Sequence, residues 1–186
     1  MINQRNNLNP NKEEVSILLE EIANEIGQGI SDISFAVNIR EHGIRLTTED
    51  FNLSVGTIHD GIISFKGRWR DIEIIWEFRK DSGGYSVRLS AESNYSLNID
   101  SIESLIIKYK PPYNDYLNWR VLRCSSDYVN NPIGFPAVKD ISEKTFSCKM
   151  ITGIFPDNRR KGLFLGTVIP QSSHHNYELS FLENEE

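Results

Sequence analysis

Apolar residues alternate with polar residues along most of this chain, and this period of two constrains the fold more than any other feature. The clearest stretch lies between residues 72 and 79, and a second one returns between residues 85 and 91. Its apolar positions are Ile72, Ile74, Trp76 and Phe78. Strands that bury one face and expose the other have this pattern. Two glycines between the stretches supply the conformational freedom of a tight turn, so the sequence predicts an antiparallel hairpin.

Similar segments recur along the chain, separated about every 8–12 residues by turn-forming residues, as in antiparallel sandwiches. They cover residues 33–39, 44–46, 51–55, 62–65, 104–109, 118–123, 146–155, 163–169 and 177–181, with a further short strand between Asn94 and Asn98. The predicted strands do not alternate with helices, so the sequence does not predict a parallel sheet. We therefore expect an all-β protein, an antiparallel β-sandwich.

The N-terminal region is the exception to this pattern. The apolar residues Val15, Leu19, Ile22 and Ile26 recur at helical spacing. We expect one amphipathic helix over residues 11–29, with Asn11 as its N-cap and with glycines ending it. Residues 1–10 are predicted to be a flexible tail, and residues 30–186 a single β-sandwich domain. The helix either closes one end of a sheet or docks a partner.

Charge and composition exclude several classes of protein. The net charge of −6 argues against a nucleic-acid binder. No apolar run approaches the ~18 residues of a membrane span, and no signal segment opens the chain, so we expect a cytoplasmic protein without a membrane contact. Cys124 and Cys148 lack metal-ligand spacing. They are expected to be free thiols, although a disulfide between them stays open.

Motifs that would indicate catalysis are missing from the sequence. It contains no nucleophile elbow, phosphate-binding loop, dinucleotide fingerprint or zinc-protease motif. Asp127, Asp140 and Glu143 flank a long loop, but their spacing singles out no acid and nucleophile. The four histidines fall in predicted turns with no supporting ligands. We expect no catalytic residue, no metal and no cofactor.

The long polar loop over residues 124–140 is the most promising candidate for a binding edge. Tyr128 and Phe135 lie off any regular strand, so we expect them to be exposed and to contact a ligand. Sugar rings dock on aromatic faces through their C–H surfaces, while polar side chains bind their hydroxyls. Asn131 and Asp127 are the polar candidates. Trp119 is either a further ligand contact or, as its alternation indicates, a core residue.

Four segments in the second half of the chain carry a resemblance to a known family. They are Arg120-Val121-Leu122-Arg123, Asn131-Pro132-Ile133-Gly134, Ser147-Cys148-Lys149-Met150 and Lys161-Gly162-Leu163-Phe164-Leu165-Gly166. In order and spacing, roughly residues 100–182 resemble the N-terminal β-supersandwich domain of family 36 α-galactosidases. Cys124-Ser125 departs from the Asn-Gly usual in the family, and Tyr128 is the nearest counterpart of the tryptophan in the family's loop.

The resemblance implies a non-catalytic supersandwich that packs on a catalytic (β/α)₈ barrel and helps to shape its sugar pocket. The barrel would hydrolyse α-galactosides with retention, through two carboxylates. No barrel is encoded in these residues, so we expect no hydrolase activity from them. The expected partners are a galactoside-like carbohydrate and a catalytic barrel or a second copy of the chain. The alternatives are a stand-alone carbohydrate-binding module and an assembly protein that docks through its helix.

Overall fold

The computed structural model describes residues 10–40, 43–110, 116–122, 135–141, 145–149, 151–156, 162–166 and 176–180. The chain divides into two compact units, Met1–Lys110 and Pro111–Glu186, and each is described by itself. Antiparallel strands form most of the described residues, with one α-helix near the N-terminus. The predicted all-β class and the N-terminal helix are confirmed. A single sandwich over residues 30–186 stays a prediction.

The first unit contains the helix and seven strands. They are α1 Pro10–Ile26, β1 Ile30–Ile39, β2 Ile44–Thr47, β3 Ser54–His59, β4 Ile62–Trp69, β5 Ile72–Asp81, β6 Gly84–Ser93 and β7 Ile99–Tyr109. One antiparallel sheet has the strand order β2-β1-β7, and the other has the order β3-β4-β5-β6. The sheets share one apolar core, which helix α1 joins with the side chains of its inner face.

Helix α1 buries the stripe that its sequence predicts. Val15, Ile22 and Ala23 are buried, and the other apolar residues of the stripe pack against the core. The helix begins at Pro10, a residue suited to a first turn because its missing N–H has no intrahelical acceptor there. The prediction of Asn11 as N-cap is therefore wrong, since Asn11 lies inside the helix.

Two hairpins of the first unit form where the sequence predicts them, one at the glycines between residues 79 and 85 and the other at Asp60-Gly61, a pair typical of hairpin turns. Strands β5 and β6 pair from Ile72 opposite Ser93 to Asp81 opposite Gly84, which leaves a two-residue loop. Between β3 and β4 the loop is Asp60-Gly61, with φ of 49° and 75°. Positive φ at both central residues gives the backbone twist that antiparallel strands favour, and Asp-Gly is a preferred pair for it.

An aromatic cluster joins the two sheets of the first unit. Phe35 of β1 and Trp76 of β5 are both fully buried, with ring centroids 5.0 Å apart. The indole Nε1 of Trp76 donates a hydrogen bond of 2.9 Å to the carbonyl oxygen of Ser104 in β7. The C-terminal end of helix α1 contacts the β5–β6 hairpin, because Lys80 and Tyr85 both donate to the carboxylate of Glu25.

Two predicted strands of the first unit differ from the structure. The segment 51–55 becomes a strand only at Ser54, because Phe51 and Leu53 are buried over Gly67, where a β-carbon would lie 2.6 Å from Leu53 Cδ2. The prediction of a short strand between Asn94 and Asn98 is wrong. Residues 94–98 form no strand, and the next strand, β7, starts at Ile99 instead of at the predicted residue 104 and pairs along β1 with several register shifts.

The second unit contains five short strands among its described residues. They are β8 Arg120–Leu122, β9 Thr145–Lys149, β10 Ile151–Phe155, β11 Leu163–Gly166 and β12 Asn176–Ser180. One sheet has the order β11-β10-β8, and β12 pairs with β9. Strands β10 and β11 pair antiparallel, which confirms the hairpin that the sequence predicts from the segments 146–155 and 163–169. The segment predicted as one strand over 146–155 is divided, since β9 and β10 pair with different neighbours.

Candidate functional site

Most of the loop predicted to bind a ligand lies outside the described residues. Tyr128, Asn131 and Asp127 fall in that part, and so does Cys124. Their roles, and the pairing of the two cysteines, stay predictions. The predicted contacts that the structure describes are Trp119 and Phe135.

These two residues have opposite environments. Trp119 is 2% exposed, as deeply buried as the core residues of the first unit, so the interpretation of Trp119 as a core residue is confirmed. Phe135 is 53% exposed, which confirms its predicted exposure. Whether Phe135 contacts a ligand stays a prediction, and the buried side chain of Trp119 leaves almost no surface for such a contact.

Phe135 belongs to a row of three phenylalanines on the second unit, with Phe155 and Phe164. We call these three residues the aromatic row. The ring centroids of Phe135 and Phe155 are 6.0 Å apart, with the rings nearly perpendicular at 75°. Those of Phe155 and Phe164 are 5.6 Å apart, with the rings stacked at 22°. Phe164 is 51% exposed and Phe155 is half-buried. The row therefore presents apolar ring surface to solvent from three separate segments.

The register of β10 and β11 explains how the stacked pair forms. Phe164 lies opposite Gly153, and its ring covers the glycine so closely that no β-carbon would fit there. An aromatic side chain over a strand glycine compensates for the packing that the glycine lacks. Thr152 and Ile154 point to the other face and are buried. The alternation thus leaves the phenylalanines on the more exposed face.

Phe135 is held beside β8 by backbone hydrogen bonds of the segment that follows it. The N–H of Val121 donates to the carbonyl of Pro136 at 3.0 Å, and that of Val138 donates to the carbonyl of Trp119 at 2.8 Å. Arg120 lies opposite Phe155 in the ladder, and its Nη1 donates to the carbonyl oxygen of Phe135 at 3.3 Å. A guanidinium group therefore lies beside the aromatic row.

The aromatic row can bind a ligand by contact but contains no group suited to acid–base or nucleophilic chemistry. Two carboxyl groups among the described residues of the first unit have a lowered pKa, and both accept hydrogen bonds that join separate elements of the fold. Hydrogen bonds from Lys80 and Tyr85 lower the pKa of Glu25. The hydrogen bond from Arg45, with a second from Asn38, lowers the pKa of Glu103.

No cluster of metal-ligating side chains occurs within the described residues. In the same part of the chain, no helix combines the length and the apolar character needed to span a membrane.

Sequence reasoning missed Phe155 and Phe164 as members of the site. Both belong to segments predicted as strands, and in each the phenylalanine directly adjoins another apolar residue, so alternation alone does not say which of the two is exposed. The signal available was Gly153, because a glycine inside a strand often marks the close approach of another group.

No family model, curated protein or solved structure matches this chain. The resemblance to family 36 α-galactosidases is therefore a proposal.

Proposed function

We propose that this chain is a non-catalytic carbohydrate-binding β-domain of the kind that accompanies α-galactosidase-type glycoside hydrolases, and that the aromatic row is its sugar platform. The observation that carries the proposal is the exposure of Phe135 and Phe164 around a shared ring contact. The resemblance over residues 100–182 supplies the sugar class, a galactoside. A cytoplasmic location belongs to the same proposal.

The chemistry of the aromatic row suits a sugar ring. A pyranose presents an apolar C–H face, which gains contact by covering an aromatic ring, and hydroxyl groups at its rim, which need hydrogen-bonding partners. The exposed rings of the row supply the first requirement. Arg120 carries guanidinium N–H groups beside the row, and Asn131 and Asp127 are the predicted polar partners of the remaining hydroxyls.

Isothermal titration calorimetry of the full chain tests the proposal against a panel of α-galactosides, β-galactosides and glucosides. We expect binding in the micromolar to millimolar range, and a loss of about tenfold in Phe164→Ala, because one aromatic contact contributes of order 1.4 kcal/mol. Tyr95→Ala is the matched control, since Tyr95 is exposed at 69% but lies in the first unit. The absence of heat with every sugar would refute the proposal.

A second candidate function is docking on another protein domain, and it is favoured because the three rings of the aromatic row have no polar atoms. Phenylalanine lacks the hydroxyl or N–H with which tyrosine and tryptophan join apolar to polar contacts. The aromatic row would then pack on the catalytic barrel domain of the parent enzyme. In that case the isolated chain self-associates at high concentration through the row. Sedimentation velocity would show association that Phe164→Asp abolishes, with no sugar binding in calorimetry.

A further inference from the structure

A shallow depression of about 320 Å³ lies on the outer face of the four-stranded sheet in the first unit. Strand register arranges its side chains in two rows that cross the strands. One row contains Ser54, Lys66, Ile75 and Ser90, and the other contains Arg68, Glu73 and Glu92. We call this surface the polar depression. It lies in the first unit, and so is a different site from the aromatic row.

The charges of the polar depression sum to zero. Lys66 and Arg68 contribute two positive charges, and Glu73 and Glu92 two negative charges. Arg68 and Glu73 are in weak contact, with 3.6 Å between Nη1 and Oε1. Lys66 and Glu92 form no ion pair with any residue that the structure describes. Glu73 also lies directly opposite Glu92, an arrangement of like charges that destabilises a sheet.

The outer face of the other sheet in this unit pairs its charges closely. Arg40 Nη2 is 2.7 Å from Asp100 Oδ1. The guanidinium of Arg45 contacts both carboxylate oxygens of Glu103, which also accepts a hydrogen bond from Asn38. Cross-strand pairs of this kind contribute to sheet stability. In the polar depression, Arg68 Nε donates to the carbonyl oxygen of Arg70, and Ser54 Oγ donates to that of Lys66. The ammonium of Lys66 and the carboxylate of Glu92 are the charged groups of the depression without an ion pair among the described residues.

The floor of the polar depression is apolar at its centre. Ile75 lies opposite Lys66 on one neighbouring strand and opposite Ser90 on the other, and it is 40% exposed. Hydroxyl, ammonium and carboxylate groups therefore surround one exposed aliphatic side chain. Small-molecule sites combine an apolar surface with a few convergent polar groups in this way, and a volume near 300 Å³ is at the small end of their range.

The geometry points to a binding site for one neutral polyhydroxylated ring, such as a single sugar residue, in the polar depression. The C–H face of the ring covers Ile75. Its hydroxyls donate to Glu73 and Glu92 and accept from Lys66 and Arg68. A ligand with a net charge gains no overall attraction from charges that sum to zero, yet it loses hydration on binding, so a neutral ligand is favoured.

The test is a titration of the ¹⁵N-labelled full chain, followed by amide chemical shifts, in the Phe164→Ala background, in which binding at the aromatic row is weakened. The ligands are D-glucose, D-galactose, D-glucuronate, D-glucosamine and glycine betaine. We expect the neutral hexoses to shift the amides of Ile75 and Ser90 and to bind more tightly than the charged sugars. Ile75→Ser should weaken hexose binding about tenfold. Ile102→Ser, which alters an isoleucine of similar exposure (43%) in the other sheet, should leave it unchanged.

A second variant tests the effect of the net charge of the polar depression. Glu92→Gln keeps the size of the side chain and gives the depression a net charge of plus one, so glucuronate should then bind more tightly than glucose. Three results would overturn the proposal: no shift at these amides with either neutral hexose, equal loss in Ile75→Ser and Ile102→Ser, or binding of glycine betaine in preference to the hexoses. None of them bears on the aromatic row.

Discussion

Substituting Trp76 by phenylalanine should strongly destabilise the first unit. Trp76 is fully buried, with ring centroids 4.6 Å from Phe78 and 5.9 Å from Phe65. It also contacts Phe35 and donates to the carbonyl of Ser104 in the opposite sheet. The substitution keeps one six-membered ring but removes the N–H and the second ring of the indole.

Two terms make up the expected loss. Loss of a buried hydrogen bond that leaves its acceptor unsatisfied costs about 1–2 kcal/mol. The space left by the missing ring atoms costs about another 1–2 kcal/mol, because a close-packed core collapses only partly around it. The sum, about 2–4 kcal/mol, is a large part of the 5–15 kcal/mol typical of a whole domain.

Urea unfolding of the full chain, followed by far-ultraviolet circular dichroism, measures this loss. The control is Trp69→Phe, since Trp69 is only half-buried and its ring contact with Arg70, 4.4 Å away, is at the surface. We expect that control to lose about 0.5–1 kcal/mol. The reasoning fails if the two variants unfold at the same midpoint with the same slope, because the hydrogen bond between sheets would then contribute nothing measurable.

The remaining predictions concern pH and the glycines of the first unit. Hydrogen bonds from Lys80 and Tyr85 hold the pKa of Glu25 below its ordinary value, so their stabilisation is present at neutral pH and lost as pH falls through that lowered pKa. Burial and the bond to Glu25 raise the pKa of Tyr85 to about 12, so stability is complete below its ordinary value of 10.0 and lost as pH rises through the raised one. Melting temperatures against pH should show both losses in the parent chain, with the acid-side loss reduced in Glu25→Gln. Gly67→Ala should lower the free energy of unfolding, measured in urea, by about 1–3 kcal/mol because its β-carbon would lie 2.6 Å from a core side chain. Gly27→Ala, with no atom within 4 Å of the added carbon, should change that free energy by less than about 0.5 kcal/mol.

Local signals in the sequence were sufficient for the elements whose partners are adjacent in the chain. The β5–β6 hairpin and the Asp60-Gly61 turn follow from alternation and turn chemistry, which act over a few residues. The buried stripe of α1 follows from helical spacing. These features need no knowledge of what lies elsewhere in the fold.

Elements whose length depends on distant partners were predicted less well. Strand β7 extends to Ile99 because it pairs with almost the whole of β1, about seventy residues earlier in the chain. The first part of the predicted strand 51–55 instead packs its apolar residues over Gly67. Both outcomes are set by tertiary packing, which overrides local strand propensity.

The residues of the candidate sites are also brought together by tertiary packing, which the sequence alone did not predict. The sequence indicated Trp119 and Phe135 as aromatic contacts, and only the second is exposed. The partners of Phe135 are Phe155 and Phe164, which come together because β10 pairs with β8 on one side and with β11 on the other. The polar depression likewise depends on the register of four strands. Alternation predicted Glu73, Ile75 and Ser90 as outward-facing, but it did not identify them as neighbours, and Lys66, Arg68 and Glu92 lie outside the predicted strands.

Exposed apolar residues differ in what they imply, and this difference favours a binding role for the aromatic row. A single exposed residue such as Tyr95 needs no explanation, because folded proteins expose much apolar surface. Phe135 and Phe164 instead come from separate segments and meet on Phe155. The mutual contacts keep part of each ring from water and restrict the rotamers that each ring can adopt. A rigid apolar surface loses little conformational entropy on binding, which is the property that a platform for a weakly held ring requires.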